Sequence, residues 1–348
     1  MKGLSLFACG GVSEYYLHKT DVEIVVANEL LNERCDFYEK KYGNVKMIRG
    51  DINDVLNDII ESCNEEGVEF VMATPPCQSF STANSNKGND TRTDLIYSVL
   101  KIIKEVSPKY VLIENVPSFI KSYNMDKTER IENVLTNFCN ENGYNIRYKI
   151  LNSADFETPQ IRKRCIVLLS RSDMKVWEHP EPVTKEHITT RDVIGHLPSL
   201  ESGESSDIPW HFSKTHNDRH ILWMKHTPTG KTAFLNPVHY PRRVDGQRIK
   251  GYNTTYKRIE WDKPCPTITM ANGSISSQNN VHPGNLKEDG IYSDARVLTI
   301  HELVLLTGLD EKWIPKDFPK KKEKILRELL GECFPPKFAY HIINSIPK

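Results

Sequence analysis

Two residues that end short apolar runs have the chemistry of a nucleophile and an acid partner. Cys77 follows Thr74-Pro75-Pro76 and precedes Gln78-Ser79-Phe80-Ser81. Two prolines stiffen the chain just before the thiol, which suits a nucleophile held at a fixed point. A cysteine acts as a soft nucleophile once its thiolate is favoured; the plain alternative is a buried cysteine beside a Pro-Pro turn. Glu114 follows the run Tyr110 to Ile113 and leads into Asn115-Val116-Pro117. A third set closes three earlier runs in order: Cys9-Gly10-Gly11, then Glu29, then Asp51. A tight glycine turn lets backbone approach a ligand, and an acid about twenty residues on can take ribose hydroxyls. That pattern fits a nucleoside cofactor and does not separate a dinucleotide from S-adenosylmethionine.

The elements that must position these residues alternate in type. Gly3 to Phe7, Ile24 to Ala27, Lys46 to Ile48, Glu69 to Ala73, Tyr110 to Ile113 and Cys165 to Leu169 have strand character. Asn32 to Tyr42, Ile52 to Glu66 and Asp94 to Val106 carry helical spacing. Such alternation predicts an α/β fold with a mainly parallel, doubly wound sheet, in which ligands collect at the carboxyl ends of the strands. The thiol and Glu114 would then stand on neighbouring strand ends.

The pattern changes after Glu178, where Pro180, Pro182, Pro198 and Pro209 punctuate a polar stretch. From there to Ser293 turn signals dominate, so a smaller, loop-rich domain with some strands is expected. Helical spacing returns at Thr299 to Leu306, at Glu323 to Leu330 and in the closing Phe338 to Ile346. The division expected is 1–183, completed by 322–348, against 184–321.

Length and composition narrow the class. At 348 residues the chain has room for one large core plus a smaller domain. The longest apolar runs fall far short of the roughly 20 residues that cross a bilayer. No membrane association and a cytoplasmic, monomeric protein are expected. Eight cysteines without a Cys-x-x-Cys pair fit neither a disulfide scaffold nor a zinc site, so no metal is expected. Net charge is zero, so nucleic-acid binding would need a local basic surface. Arg242, Arg243, Arg248, Lys250, Lys257 and Arg258 against the single acid Asp245 supply a candidate.

Taken in order, Phe7 to Gly11, Asn28-Glu29, Gly50-Asp51-Ile52, Pro75-Pro76-Cys77-Gln78-Ser79, Glu114-Asn115-Val116-Pro117 and Gln160-Ile161-Arg162-Lys163-Arg164 resemble the motifs of the DNA (cytosine-5) methyltransferases. Arg296-Val297-Leu298-Thr299 with Glu302 and Leu306-Thr307-Gly308 resembles the penultimate motif, and Gly331 to Pro336 the last. The resemblance spans nearly the whole chain except about Glu181 to Lys263. It implies that Cys77 adds to carbon 6 of cytosine and that Glu114 binds ring nitrogen 3 and the amine. Arg162 and Arg164 would orient the base and its phosphate, with Gln160 alongside. The target would be flipped from the duplex, and the loop Ser79 to Thr93, with Ser79 and Ser81 on the DNA, would close over it.

The resemblance also implies S-adenosylmethionine as cofactor. Phe7, Ala8, Cys9, Gly10 and Gly11 would wrap its methionine part, with Pro75 beside them. Glu29 would take the ribose hydroxyls, Asp51 with Ile52 would hold the adenine, and Leu30 would also line the cofactor site. Two departures stand out: Cys9 and Val12 occupy positions where the family carries glycine, and Glu332 replaces an Asn after Gly331. Residues 184–321 would recognise the target, with Arg242 and Arg243 on phosphates and Thr267 in a Pro-Thr-Ile element. The expected function is sequence-specific cytosine methylation of duplex DNA in a restriction-modification or phage protection system, with a cognate restriction endonuclease as a partner. The rivals are an RNA cytosine methyltransferase of the same family, a DNA-binding protein that has lost catalysis, and a nicotinamide-dependent dehydrogenase.

Overall fold

The computed structural model describes residues 1–76, 95–124 and 126–348. The chain divides into two compact units: residues 1–156, 163–183 and 334–348 form the first, and residues 157–162 and 184–333 the second.

The first unit is built on a seven-stranded sheet. Its strands are β1 (Lys2–Leu6), β2 (Glu23–Glu29), β3 (Lys46–Arg49), β4 (Phe70–Ala73), β5 (Tyr110–Asn115), β6 (Tyr144–Asn152) and β7 (Lys163–Arg171), in the order β3-β2-β1-β4-β5-β7-β6. The first five pair in parallel, and β7 runs antiparallel to both β5 and β6. The strand sequences explain the layering. Val71, Ala73, Val111, Ile113, Val167 and Leu169 pack into one apolar cluster. Their neighbours Phe70, Met72, Tyr110, Leu112, Ile166 and Leu168 pack into another. Alternate side chains leave opposite faces of a strand, so continuous apolar runs produce a sheet buried on both faces.

Helices α1 (Asn32–Lys41), α2 (Leu56–Glu66), α3 (Leu95–Val106) and α4 (Ile131–Asn142) follow the strands. The expected helix at Ile52 to Glu66 starts later, because Asp51 to Val55 forms turns, with the Asp54 and Val55 amides on the Asp51 carbonyl. Strand β6 and helix α4 are additions to the sequence expectation.

The second unit holds α5 (Thr190–Ile194), α6 (Asp218–Lys225), α7 (Ile300–Leu306) and α8 (Glu323–Glu332); α9 (Pro336–Ile343) belongs to the first unit. In place of the strands expected there, its described residues pair only through isolated bridges such as Thr232 with Lys257 and Arg258 with Val281. Helix α8, grouped with the first domain in the sequence expectation, falls in the second unit. Arg327 explains this: its guanidinium donates to the carbonyls of Asn272 and Leu298.

That mode of attachment recurs. Arg258 is fully buried and donates to the carbonyls of Met224, His282, Ser293 and Asp294. Arg296, also fully buried, reaches the carbonyls of Leu200 and Val297 and grips Glu302 with both terminal nitrogens at 2.9 Å. Irregular backbone leaves carbonyls without ladder partners, and a guanidinium offers five donors in one rigid group. Burial opposes ionisation of Glu302, but Arg296 outweighs it and draws the carboxyl down to about 2. His282 beside it is pushed down to about 4 by burial and by Arg296. Its Nδ1 accepts the Gly284 amide, so the neutral ring carries its proton on Nε2.

Candidate active site

Strand order brings the motif residues of the first unit to one edge. Glu114 is the penultimate residue of β5 and is 8 % exposed. Arg164 lies near the start of the antiparallel β7, and its Nε is 2.7 Å from Glu114 Oε1. At this distance the two form a close ion pair at the strand end, and Arg164 Nη1 donates to the Lys163 carbonyl. The next residue, Asn115, donates from Nδ2 to the Pro75 carbonyl at 3.0 Å and accepts the Val116 amide at 2.8 Å. Thr74 Oγ1 donates to the Phe7 carbonyl at 3.2 Å. The segment that leads to Cys77 is thus anchored to the Glu114 strand and to the glycine loop. Cys77, Ser79, Ser81 and the rest of the loop to Thr93 lie outside the described residues.

The glycine loop is bent hard. Phe7 (φ 59°), Cys9 (φ 44°), Gly10 (φ 71°) and Gly11 (φ 73°) all take left-handed conformations. For the two non-glycine residues this costs on the order of 1–3 kcal/mol each. Gly11 has no alternative, since a Cβ there would stand 2.2 Å from Tyr42 Cε2. The loop is seated on Tyr38 and Tyr42: Tyr42 donates its hydroxyl to the Gly11 carbonyl at 2.6 Å, and Tyr38 donates to Glu14. Burial pushes the Glu14 carboxyl up to about 7. Glu29 ties the loop to β2, its two oxygens accepting the amides of Cys9 at 3.0 Å and Leu31 at 2.9 Å. Asn28 donates to the carbonyls of Ile48 and Gly50, which sets Asp51 at the end of β3. Asp51 accepts the Asn53 amide, Ile52 is buried and Leu30 is 57 % exposed.

These residues fit S-adenosylmethionine. Two carboxylates fixed at adjacent strand ends suit hydroxyl and amine donors, and an exposed leucine beside them suits an apolar ring face. Phe7 to Gly11 would hold the methionine part, Glu29 the ribose, and Asp51 with Ile52 the adenine.

The motif Gln160 to Arg164 straddles the boundary between the units. Arg164 reaches Glu114, as above. Arg162, in the second unit, is 3 % exposed and donates to the carbonyls of Ile268 at 2.9 Å and Gly331 at 3.1 Å. Gln160 is buried and accepts the Ile268 amide, and Thr267 donates its hydroxyl to the Ile161 carbonyl at 2.7 Å. Residues 159–162 and 265–268 therefore run together as a paired segment of the second unit, continued by amide bonds between Cys265 and both Pro159 and Ile161. Gly331 packs onto main chain, where a Cβ would lie 2.5 Å from Met270 N. Arg242 and Arg243 are exposed on a surface hairpin of the same unit.

Asn28, Asn115, Glu14, Tyr38 and Tyr42 were not singled out as site residues from sequence. For the two asparagines a signal existed: each is a polar residue at the end of an apolar strand, where its amide can bridge to the next strand. Of the described cysteines, all but Cys9 are buried. Among the described residues no group of side chains could hold a metal ion, and no helix is long and apolar enough to cross a membrane.

Comparison with known proteins identifies the family. The family model described as C-5 cytosine-specific DNA methylase matches residues 1–348. The Type II methyltransferase M1.HgaI of Avibacterium volantium is 46 % identical over 355 residues, covering 99 % of this chain and 97 % of that one. The Type II methyltransferase M1.HphI of Haemophilus parahaemolyticus is 28 % identical, covering 99 % and 86 %. In three dimensions the fold is shared with the Entamoeba histolytica methyltransferase EhMeth (TM-score 0.65, 16 % identity, 99 % and 97 % covered). It is also shared with Dnmt2 of S. pombe (TM-score 0.61, 18 % identity, 99 % and 98 % covered). The chain belongs to the C-5 cytosine-specific DNA methylases and is an S-adenosylmethionine-dependent DNA (cytosine-5-)-methyltransferase.

Proposed function

We propose that the protein methylates cytosine within a specific sequence of duplex DNA, as the modification enzyme of a restriction-modification system. The first unit carries catalysis and the second recognises the target. Two relatives bear the name Type II methyltransferase, which supports the biological setting and a cognate endonuclease acting on the same sequence.

In this reading the Cys77 thiolate adds to carbon 6 of a flipped cytosine and makes carbon 5 nucleophilic. S-adenosylmethionine supplies the methyl group. Glu114 binds ring nitrogen 3 and the exocyclic amine, stabilising the charge that builds during attack. Loss of the carbon 5 proton and expulsion of the Cys77 sulfur then restore the ring. Arg164 orients Glu114. Arg162 and Gln160, whose polar groups bind Ile268 and Gly331, act as positioning residues for the Thr267 segment instead of touching the base.

One geometry supports the assignment above others: Arg164 fixes Glu114 while the adjacent Asn115 holds the Pro75 carbonyl, two residues from Cys77. Bisulfite sequencing of DNA from cells expressing the protein tests the reaction and maps the target together. Cytosines protected within one recurring sequence are expected. Labelled methyl transfer to tRNA with none to duplex DNA would overturn the reading.

A further inference from the structure

Residues Pro241 to Ile249 form a two-stranded ribbon on the second unit. Arg242 bridges Arg248 in antiparallel fashion, the Ile249 amide bonds the Pro241 carbonyl at 3.0 Å and the Arg243 amide bonds the Gln247 carbonyl at 2.8 Å. The three-residue loop Val244-Asp245-Gly246 closes it, with Gly246 at φ 87°. The root is fixed: Pro241 is buried, Ile249 packs against the cluster of Trp223 and Tyr256, and Arg219 donates to the Arg242 carbonyl.

Two features of the ribbon are unfavourable in isolation. Cations directly opposite each other on a ribbon repel, yet Arg242 and Arg248 are held together over one ring, 5.9 Å and 3.7 Å from the Tyr240 centroid. Arg243 and Lys250 add to them, against Asp245 alone, whose carboxylate accepts the Gln247 amide. At the tip, Val244 is 94 % exposed. A fixed ribbon carrying surplus positive charge and a bare aliphatic tip matches a polyanion with an apolar group inside a groove. The major groove of B-form DNA admits a two-stranded ribbon, is lined by phosphates and displays the thymine methyl.

We infer that this ribbon enters the major groove and that Val244 is a specificity-determining residue, contacting a thymine methyl while Arg242 and Arg248 hold phosphates. The inference rests on the second unit being the recognition unit.

The test uses the intact enzyme and duplex oligonucleotides carrying the sequence mapped by bisulfite, with each thymine replaced in turn by uracil. At one position the loss of the methyl should lower kcat/KM about fourfold for the unaltered enzyme, the effect of one buried methyl group. Val244→Ala should act on the thymine duplex at that reduced rate and not distinguish it from the uracil duplex. Its melting temperature should be unchanged, since the side chain is exposed. Arg242→Ala with Arg248→Ala should weaken all duplexes alike and flatten the slope of log affinity on log salt by about 1.8. A mapped sequence without thymine, or a Val244→Ala enzyme that keeps full thymine-over-uracil preference, overturns the inference alone. Absence of 5-methylcytosine in any DNA overturns the reading beneath it as well.

Discussion

Arginines in the two units are used in opposite ways. In the second unit Arg162 and Arg258 direct donors to main-chain carbonyls, while Arg327 combines such contacts with Glu323 and Arg296 with Asp294 and Glu302. In the first unit Arg164 stands at a sheet edge with its Nε on Glu114, both side chains still partly open at 13 % and 10 % exposure. The first unit is held by apolar strands that satisfy one another's backbone, so its charged residues are available for chemistry. The second has little regular structure, and buried guanidiniums do there what strand ladders do elsewhere. Motif membership alone does not tell these uses apart, because Arg162 and Arg164 are two residues apart in one motif.

The comparison can be broken most severely at the site. Cys77→Ser should abolish methyl transfer while duplex binding in a gel-shift assay stays near its original level; measurable turnover would remove covalent catalysis from the account. Glu114→Gln should lower kcat by about 10²–10⁴ with the fold intact, the range for losing a group that stabilises transition-state charge. Arg164→Lys keeps the charge but loses the planar Nε contact, and should lower kcat by about tenfold or more with little change in melting.

The opposite pattern is expected in the second unit. Arg258→Met leaves four buried carbonyls short of donors, at about 1–3 kcal/mol each before relaxation, and should destabilise the protein in urea by several kcal/mol. Arg162→Met should do the same on a smaller scale. A fall in kcat for Arg162→Met with unchanged stability would instead place its guanidinium on the substrate.

The smallest effect concerns pH. His282 has its folded value drawn from 6.5 to about 4, so below 6.5 the unfolded chain binds a proton that the folded one does not. Its contribution is complete above about pH 6.5 and is lost as pH falls toward 4, at most on the order of 3 kcal/mol. Glu302, drawn down to about 2, loses its share only below about pH 4.5. His282→Asn should reduce the slope of the stability profile between pH 6.5 and 4, leaving the share of His216, likewise drawn down to about 4 by burial, and the lower limb in place.

How far the sequence discloses the molecule follows from the same contrast. The strand-end residues Gly10, Glu29, Asp51 and Glu114 were legible because apolar runs locate the strands and the parallel topology aligns their ends. Strand β6 escaped notice because it is the edge strand, and its central residues Arg147 to Ile150 are exposed, leaving no apolar run. Helix α4 is rich in Asn and Glu, which blurs its spacing. The second unit was legible only as a change of composition. What orders it is hydrogen bonding from single arginines to distant carbonyls, which has no period along the chain. For the same reason the positioning role proposed for Arg162 and Gln160 rests on their partners and not on the motif.

The central claim concerns the sulfur of Cys77, and covalent trapping reaches it most directly. A duplex bearing 5-fluorocytosine at the mapped target, incubated with enzyme and S-adenosylmethionine, cannot lose the group at carbon 5 and should hold the adduct. Intact-mass and peptide analysis should then show one oligonucleotide joined to Cys77, absent from Cys77→Ser. A cofactor-competent enzyme that methylates ordinary DNA yet forms no such adduct would contradict the account.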